Sequence, residues 1–314
     1  MAIKKSELYS SIWKLCDGLR GGMDASQYKD YVLVLLFVKY VSDKYHGKKD
    51  ALITIPEGGS FADMVELKHK KNIGEGINTI IGKLAEANNL VGTITEADFA
   101  NEEKLGKGQE MIDRLTDLIA VFENSNLDFS KNKAAGDDIL GDAYEYLMRH
   151  FATESGKSKG QFYTPAEVSR IMAKVIGINN AKSNKETLYD PTCGSGSLLL
   201  KAADEALPIK ISIYGQEKEV ATAALAKMNM ILHNNPLFEI EKGQSTLSNP
   251  LFTDETTGLM KTFDYVVANP PFSYKSWSVG VKTESKEDDI HDRFKEYGLP
   301  PKKNGDYAFL LHII

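Results

Sequence analysis

A chain of 314 residues is long enough to bury one large core or two ordinary ones. Its 42% hydrophobic and 26% charged residues are the proportions of an ordinary globular protein, which sets aside disordered, fibrous and membrane-embedded classes. The formal charge of −6 tells against a protein that grips nucleic acid unaided, because neutralising phosphates calls for a basic face.

Cys16 and Cys193 are too few and too scattered for a disulfide framework or a Cys/His metal site, so no metal is expected and a reducing cytoplasm fits. Residues 1–6 already carry two lysines and run into an amphipathic pattern, unlike a secretory leader. From 8 to 153 apolar residues recur at three- and four-residue spacing with no alternating run, which predicts helices throughout. The loop 19–26, with Gly21 and Gly22, parts a first helix from a long second one. In that second helix residues 31–40 have Lys39 as their only charge, a run short of the ~18–20 residues that span a bilayer, so a buried helix and no membrane contact are expected. Met111, Ile112, Leu115, Leu118, Ile119 and Phe122 form one helical stripe, and Ile139, Leu140, Ala143, Tyr144, Leu147, Met148 and Phe151 another; both read as core. The short run Lys68, His69, Lys70, Lys71 reads as a solvated helix end rather than a nucleic-acid surface.

After Phe151 the composition turns to Ser, Gly and Lys as far as Gly160, which marks a junction between a helical domain, 1–155, and a second domain, 156–314. There, short apolar segments at 187–189, 209–214, 237–240 and 263–268 alternate with helical ones, including 166–175 and 198–206. This rhythm predicts an α/β domain built on a mostly parallel sheet covered on both faces, with ligands at the carboxyl ends of its strands.

Three segments lie at such ends, and a fourth lies ahead of the first strand at a helix start. Asp190-Pro191-Thr192-Cys193-Gly194-Ser195-Gly196-Ser197 is a glycine-bearing turn between a strand and a helix, where backbone can approach a ligand closely. Taken alone it is a generic nucleotide-binding turn; Leu199 stands where a dinucleotide fingerprint has its third glycine, which disfavours a nicotinamide cofactor. Glu217 ends the next strand at about the right distance to accept both hydroxyls of a ribose, although a lone Glu there is more often a surface charge. Asn269-Pro270-Pro271-Phe272 ends the fourth apolar strand. An exocyclic base amine is a poor nucleophile because its lone pair is delocalised into the ring. The Asn269 side-chain oxygen and the Pro270 carbonyl can both accept hydrogen bonds from it, favouring a pyramidal nitrogen aimed at a methyl donor. The prolines aim those carbonyls in advance, and Phe272 offers a face for an extruded base. The bland alternative is a strand-ending turn. Gln161-Phe162-Tyr163-Thr164-Pro165 is by itself a helix start, with Thr164 as cap and Pro165 in the first turn.

The order of these segments resembles amino-directed DNA methyltransferases whose cofactor turn precedes Asn-Pro-Pro-Phe. Within that group, Leu19-Arg20-Gly21-Gly22-Met23-Asp24-Ala25-Ser26-Gln27-Tyr28-Lys29-Asp30-Tyr31 and Gln161 to Pro165 are similar to the modification subunit of type I restriction-modification systems, and the resemblance covers essentially the whole chain. It implies an all-helical N-terminal domain before a Rossmann-like methyltransferase domain that uses S-adenosylmethionine to methylate N6 of adenine in double-stranded DNA. It also implies a separate specificity subunit and, for cleavage, a motor-nuclease restriction subunit. Carried over by position, Gln161, Phe162, Tyr163, Thr164, Pro165, Ala166, Asp190, Gly194, Ser195, Gly196, Ser197 and Glu217 are expected to contact the cofactor. Asn269, Pro270, Pro271 and Phe272 are expected to form the catalytic pocket.

Two departures stand out. After the third strand, where relatives often place an acidic or amide residue on the cofactor's adenine, this chain has Gly243-Gln244-Ser245. The sequence also stops at Ile314 inside an apparent helix beginning at Tyr307, with four clear strands, so a chain truncated before its last strands is expected; the charged stretch 282–306 is expected to be a mobile loop. N4 of cytosine offers the same amine chemistry, and only the resemblance favours adenine. RNA and protein methyltransferases that share Asn-Pro-Pro usually carry Tyr next, whereas Phe272 and the helical domain favour DNA. A non-catalytic assembly subunit is the remaining alternative, against which the intact Asn269–Phe272 segment stands.

Overall fold

Helix α2 (Ala25–Tyr45) is apolar on every side over 31–41, and such a helix is stable only when surrounded. In the computed structural model, which describes residues 5–21, 23–49, 51–123, 139–154, 164–254, 256–281 and 289–314, every residue from 31 to 41 except Lys39 is buried. Packed on it are α3 (Phe61–Val65), α6 (Gln109–Glu123) and α7 (Ile139–Glu154), while α1 (Lys5–Leu19) packs on α6 and α7, α4 (Ile73–Ala87) on α3 and α6, and α5 (Glu102–Leu105) on α6. Of the two apolar stripes, Ile112 to Phe122 on α6 and Ala143 to Phe151 on α7 are buried, Met111 is half-buried, and the side chains of Ile139 and Leu140 lie outside the described ones. Trp13 sets its ring at 4.8 Å from Phe151, and Tyr31 at 5.1 Å from Phe99, both edge to face. The basic run 68–71 lies in the turn between α3 and α4 rather than at a helix end: Lys68 pairs with Glu123, and the His69 N–H donates to the Thr116 hydroxyl at 3.0 Å.

The chain divides into two compact units. One is Met1–Lys157 together with Met228–Pro236; the other is Ser158–Lys227 with Leu237–Ile314. The sequence pattern marks only one break, and nothing in it signals that Met228–Pro236 group with the helices. There the Tyr40 hydroxyl donates to the Leu232 carbonyl at 3.0 Å. No helix among the described residues is long and apolar enough to cross a membrane.

The second unit is built on β1 (Thr187–Asp190), β2 (Ser212–Glu217), β3 (Phe238–Lys242) and β4 (Tyr265–Val266), all parallel, in the order β3-β2-β1-β4. Helices α8 (Ala166–Val175), α9 (Ser197–Glu205), α10 (Val220–Leu232) and α11 (Asp306–Ile313) accompany it. Helix α9 packs on β1 and β2, with α8 behind it. On one sheet face Tyr189 lies beside Tyr214, and Phe263 stacks on Tyr189 at 4.3 Å. Several boundaries differ from the sequence expectation: β1, β2 and β3 end at 190, 217 and 242 rather than 189, 214 and 240, and β3 begins at 238 rather than 237. Strand β2 begins at Ser212 rather than 209, because turns follow α9, and β4 pairs through Tyr265 and Val266 alone. Its approach is held by Asp264, whose carboxylate accepts the Thr187 N–H and hydroxyl at 2.9 Å each. The crossovers from β1 to β2 to β3 step one way and β4 returns to the other side of β1. The strand order thus reverses at β1, the point where open α/β sheets form a crevice at their carboxyl ends.

Residues 289–306, expected to be a mobile loop, are folded, and 282–288 lie outside the described residues. Phe294 and Trp277 are buried with Leu247 and with Ala308, Phe309 and Leu311 of α11, and the Trp277 indole donates to the Pro301 carbonyl at 2.8 Å. Apolar burial organises this stretch where composition alone points to solvent. Arg293 is buried beside it, its Nε donating to Asp289 Oδ2 at 2.7 Å and its terminal nitrogens to the carbonyls of Leu247 (2.6 Å) and Thr246 (3.4 Å). Another contact, at 3.1 Å, is His312 Nδ1. Burial, with the Arg293 charge adding to it, pushes the His312 imidazole down to about 3, so the ring is neutral. Because Nδ1 must then accept from the guanidinium, Nε2 carries the proton and donates to the Tyr189 hydroxyl at 3.3 Å. Removing one partner of a buried ion pair strands the other. Arg293→Leu is therefore expected to destabilise the protein by about 3–5 kcal/mol in denaturant unfolding, and a second change, Asp289→Leu, should restore part of that loss. A single variant as stable as the parent would show the network to be incidental.

Candidate active site

The turn after β1 is shaped by its own side chains. Asp190 is buried, and its Oδ1 accepts the Thr192 N–H at 2.8 Å. Gly194 (φ 54°) and Gly196 (φ 76°) take left-handed conformations that suit glycine, and Gly196 becomes the N-cap of α9 with no side-chain cap. Ser195 and Ser197 are buried with their hydroxyls 2.9 Å apart, and Ser197 begins α9 one residue earlier than expected. On β2, Gly215 leaves room for the turn: a Cβ there would lie 2.9 Å from Cys193 Sγ and 2.8 Å from Ile240 Cδ1.

Glu217, the last residue of β2, reaches back to this turn. Its Oε2 accepts the Gly194 N–H at 3.1 Å and its Oε1 the Glu219 N–H at 2.8 Å. Burial above all, with the nearby Glu217 charge adding to it, pushes Asp190 up to about 7. Burial raises the Glu217 carboxyl as well. Thr246 ties the loop after β3 to the same turn by donating to the Pro191 carbonyl at 2.5 Å.

The sequence reading passes over one organising residue. Gln216 is completely buried, and its amide nitrogen donates to the carbonyls of Asn249 (2.9 Å) and Gln244 (3.3 Å) while its oxygen accepts the Leu251 N–H (3.0 Å). The amide is committed to holding the 244–251 loop. A glutamine inside a buried strand was the signal, since such a group must find partners. Gln244 itself is exposed.

Asn269 follows β4, and its Nδ2 donates to the Thr164 hydroxyl at 3.2 Å. This corrects the expected helix cap. Pro165, not Thr164, occupies the N-cap position of α8, with no side-chain cap, and the Thr164 hydroxyl serves Asn269 instead. Ala166 begins the helix; Gln161, Phe162 and Tyr163 lie outside the described residues. Pro270 and Pro271 are half-buried, whereas Phe272 is 74% exposed. Beyond it Ser273 takes a left-handed conformation (φ 53°), and its N–H donates to Asp306 Oδ1, at the start of α11, at 2.6 Å. The Asn-Pro-Pro-Phe segment is thus held at both ends. The Lys218 ammonium, next after Glu217, lies 3.5 Å from the Tyr274 hydroxyl and joins the β2 end to the same region.

A glycine turn after β1, a carboxylate ending β2 and an amide-and-proline turn after β4, gathered where a parallel sheet reverses its strand order, define the fold of S-adenosylmethionine-dependent methyltransferases, here preceded by an all-helical unit. Comparison with known proteins agrees. Residues 135–314 match the N-6 DNA Methylase family and residues 8–122 the HsdM N-terminal domain; the chain belongs to the N-6 DNA methylase family. It is 31% identical to the type I restriction enzyme MpnII methylase subunit of Mycoplasma pneumoniae, over 99% of this chain and 65% of that one. It is 33% identical to the MjaVIII methylase subunit of Methanocaldococcus jannaschii, over 95% of this chain and 54% of the relative. The chain thus spans between about half and two thirds of the length of these curated relatives. The crystal structure of the type I restriction-modification system methyltransferase subunit from Streptococcus thermophilus superposes with a TM-score of 0.75 at 30% identity, over 98% of this chain and 71% of that one.

Gln216→Leu would leave two carbonyls and one N–H without their partner, so a loss of about 2–4 kcal/mol is expected. Hydrogen exchange at the Leu251 amide should accelerate in parallel; unchanged exchange there would show that something else holds the loop.

Proposed function

We propose that this chain is the modification subunit of a type I restriction-modification system, transferring a methyl group from S-adenosylmethionine to N6 of adenine in double-stranded DNA. The observation that carries the reading is the Asn269–Phe272 turn at the reversal point of the sheet, its amide held by Thr164 and the Phe272 ring open to solvent. The cofactor's chemistry suits the neighbouring turn. Asp190 and Glu217 form an acidic pair with no cation bridged to either among the described residues, a setting that favours a ligand bearing a sulfonium and an ammonium.

When bound, S-adenosylmethionine supplies an electrophilic methyl on its sulfonium. Glu217, on the strand end beside the glycine turn, has lone pairs to spare for ribose hydroxyls, and Gly194 to Ser197 line the close backbone approach. Asn269 Oδ1 and the Pro270 carbonyl accept the adenine amine's hydrogens and turn its lone pair out of conjugation. So activated, the nitrogen would take the methyl that the cofactor supplies and give up its proton to water. Phe272 stacks on the extruded base. With a formal charge of −6 the chain relies on a specificity subunit for sequence-selective grip on DNA, and on a motor-nuclease subunit for cleavage. The cytoplasm, where chromosomal DNA and the cofactor meet, is where it acts.

Asn269→Ala is expected to lower methyl transfer to DNA, measured with the specificity partner present, by about 10²- to 10³-fold. The mutant should keep its affinity for S-adenosylmethionine in calorimetry; a fall of less than about tenfold would remove Asn269 from the chemistry. A pH test addresses the acidic pair. Asp190, raised to about 7, is protonated below that pH, and a cationic ligand favours the ionised form. Affinity for S-adenosylmethionine should therefore rise as pH increases through about 7, with proton release visible as a buffer-dependent binding enthalpy. Asp190→Asn should flatten the profile; a parent with no pH dependence there would separate Asp190 from cofactor binding.

A further inference from the structure

The two ends of the Asn269 amide are chemically opposite: Oδ1 accepts and Nδ2 donates. An amine that is to be activated needs the acceptor end, held in a fixed plane. The terminal torsion of asparagine is soft, so the side chain cannot hold that plane by itself. In this structure Nδ2 donates to Thr164 Oγ1 at 3.2 Å, which puts Oδ1, with its two lone pairs, on the other branch of the amide.

Thr164 is well placed to act as a fixed post. It is only 8% exposed, and Pro165 behind it has its φ locked and restricts Thr164 to extended backbone. The Pro165 carbonyl is anchored in turn by the Ser169 N–H (3.0 Å) and hydroxyl (3.1 Å), on the first turn of α8. The Thr164 hydroxyl takes no part in capping that helix. Two segments separated by 105 residues thus meet through this hydrogen bond between a rigid helix start and the strand-ending turn.

We infer that Thr164 is a positioning residue for methyl transfer: its hydroxyl holds the plane of the Asn269 amide so that Oδ1 meets the target amine. The inference rests on Asn269 being the amine acceptor, and it is additional to the cofactor contact that family resemblance implies for Thr164. A hydroxyl can donate as well as accept, so its task is to fix the plane, while the amine's own hydrogens select the acceptor end.

The test compares Thr164→Val, which keeps the shape and loses the hydroxyl, with Thr164→Ser, which keeps the hydroxyl. Each is assayed with the specificity partner on unmethylated plasmid DNA, at saturating S-adenosylmethionine and in single turnover. Thr164→Val is expected to lower the rate on the order of 10- to 100-fold, the scale of a misplaced reacting group, and Thr164→Ser less than about threefold. Because the rate is read at saturating S-adenosylmethionine, a change in cofactor affinity at Thr164 does not enter it, and the loss in the hydroxyl-free variant reports the positioning of Asn269. In an Asn269→Ala background, Thr164→Val should cost nothing further, since the group it positions is gone. If the valine variant does not fold, Thr164→Ala takes its place in the same measurements. A hydroxyl-free variant as fast as the parent overturns the inference, as does one that loses cofactor affinity yet keeps its rate at saturation. A parent that binds no S-adenosylmethionine and methylates no DNA would instead bring down the functional reading, and this inference with it.

Discussion

Strand β1 hydrogen-bonds in parallel to β2 on one side and to β4 on the other, and the candidate site exists because of that double pairing. The turn after Asp190, the carboxylate of Glu217 and the amide of Asn269 come from distant parts of the sequence, and only a shared strand end brings them to one edge. The β1–β4 pairing is short, Leu188 to Tyr265 and Tyr189 to Val266, and the Val267 N–H extends it by donating to the Tyr189 carbonyl at 2.9 Å. A slip of one residue would turn every side chain of β4 to the opposite face and carry the following turn with it. The Asp264 carboxylate, clamped on Thr187, guards against such a slip.

Beyond the strands the ladder can no longer satisfy the backbone, and buried polar side chains take over. Gln216 does this for the loop after β3, and Arg293 for the carbonyls of Thr246 and Leu247 in the same loop. Thr246 then passes the constraint to Pro191 in the glycine turn. A loop that lines a ligand site must be ordered without being filled by apolar side chains, and hydrogen bonds from buried groups achieve that because leaving them unmade is costly.

The two halves of the site are prepared differently. Around the glycine turn two carboxyls, Asp190 and Glu217, are raised chiefly by burial. Around Asn269 the preparation is geometric: prolines restrict the backbone, Thr164 and Asp306 hold the two ends, and Phe272 stays exposed. Both lie within residues 135–314, which match the N-6 DNA Methylase family.

Much of this protein was legible in its residues alone. The helical stripes of α6 and α7, the buried α2 and the alternation of strands with helices follow from apolar spacing, because burial of one face is a local property of sequence. Asn-Pro-Pro-Phe likewise marked, by its prolines, the turn that follows the fourth strand. What spacing could not carry was the partner of each polar group. Thr164 read as a helix cap, since a hydroxyl before a proline-led helix usually is one, and only the folded chain brings Asn269 to it. Nothing in the spacing told that Gln216 would hold the 244–251 loop, and residues 289–305 looked like solvated loop until Trp277, Phe294 and α11 closed on one another. Those outcomes depend on contacts between residues tens of positions apart. Local sequence sets what each side chain is able to donate, accept or bury, and tertiary structure alone decides which distant group it meets.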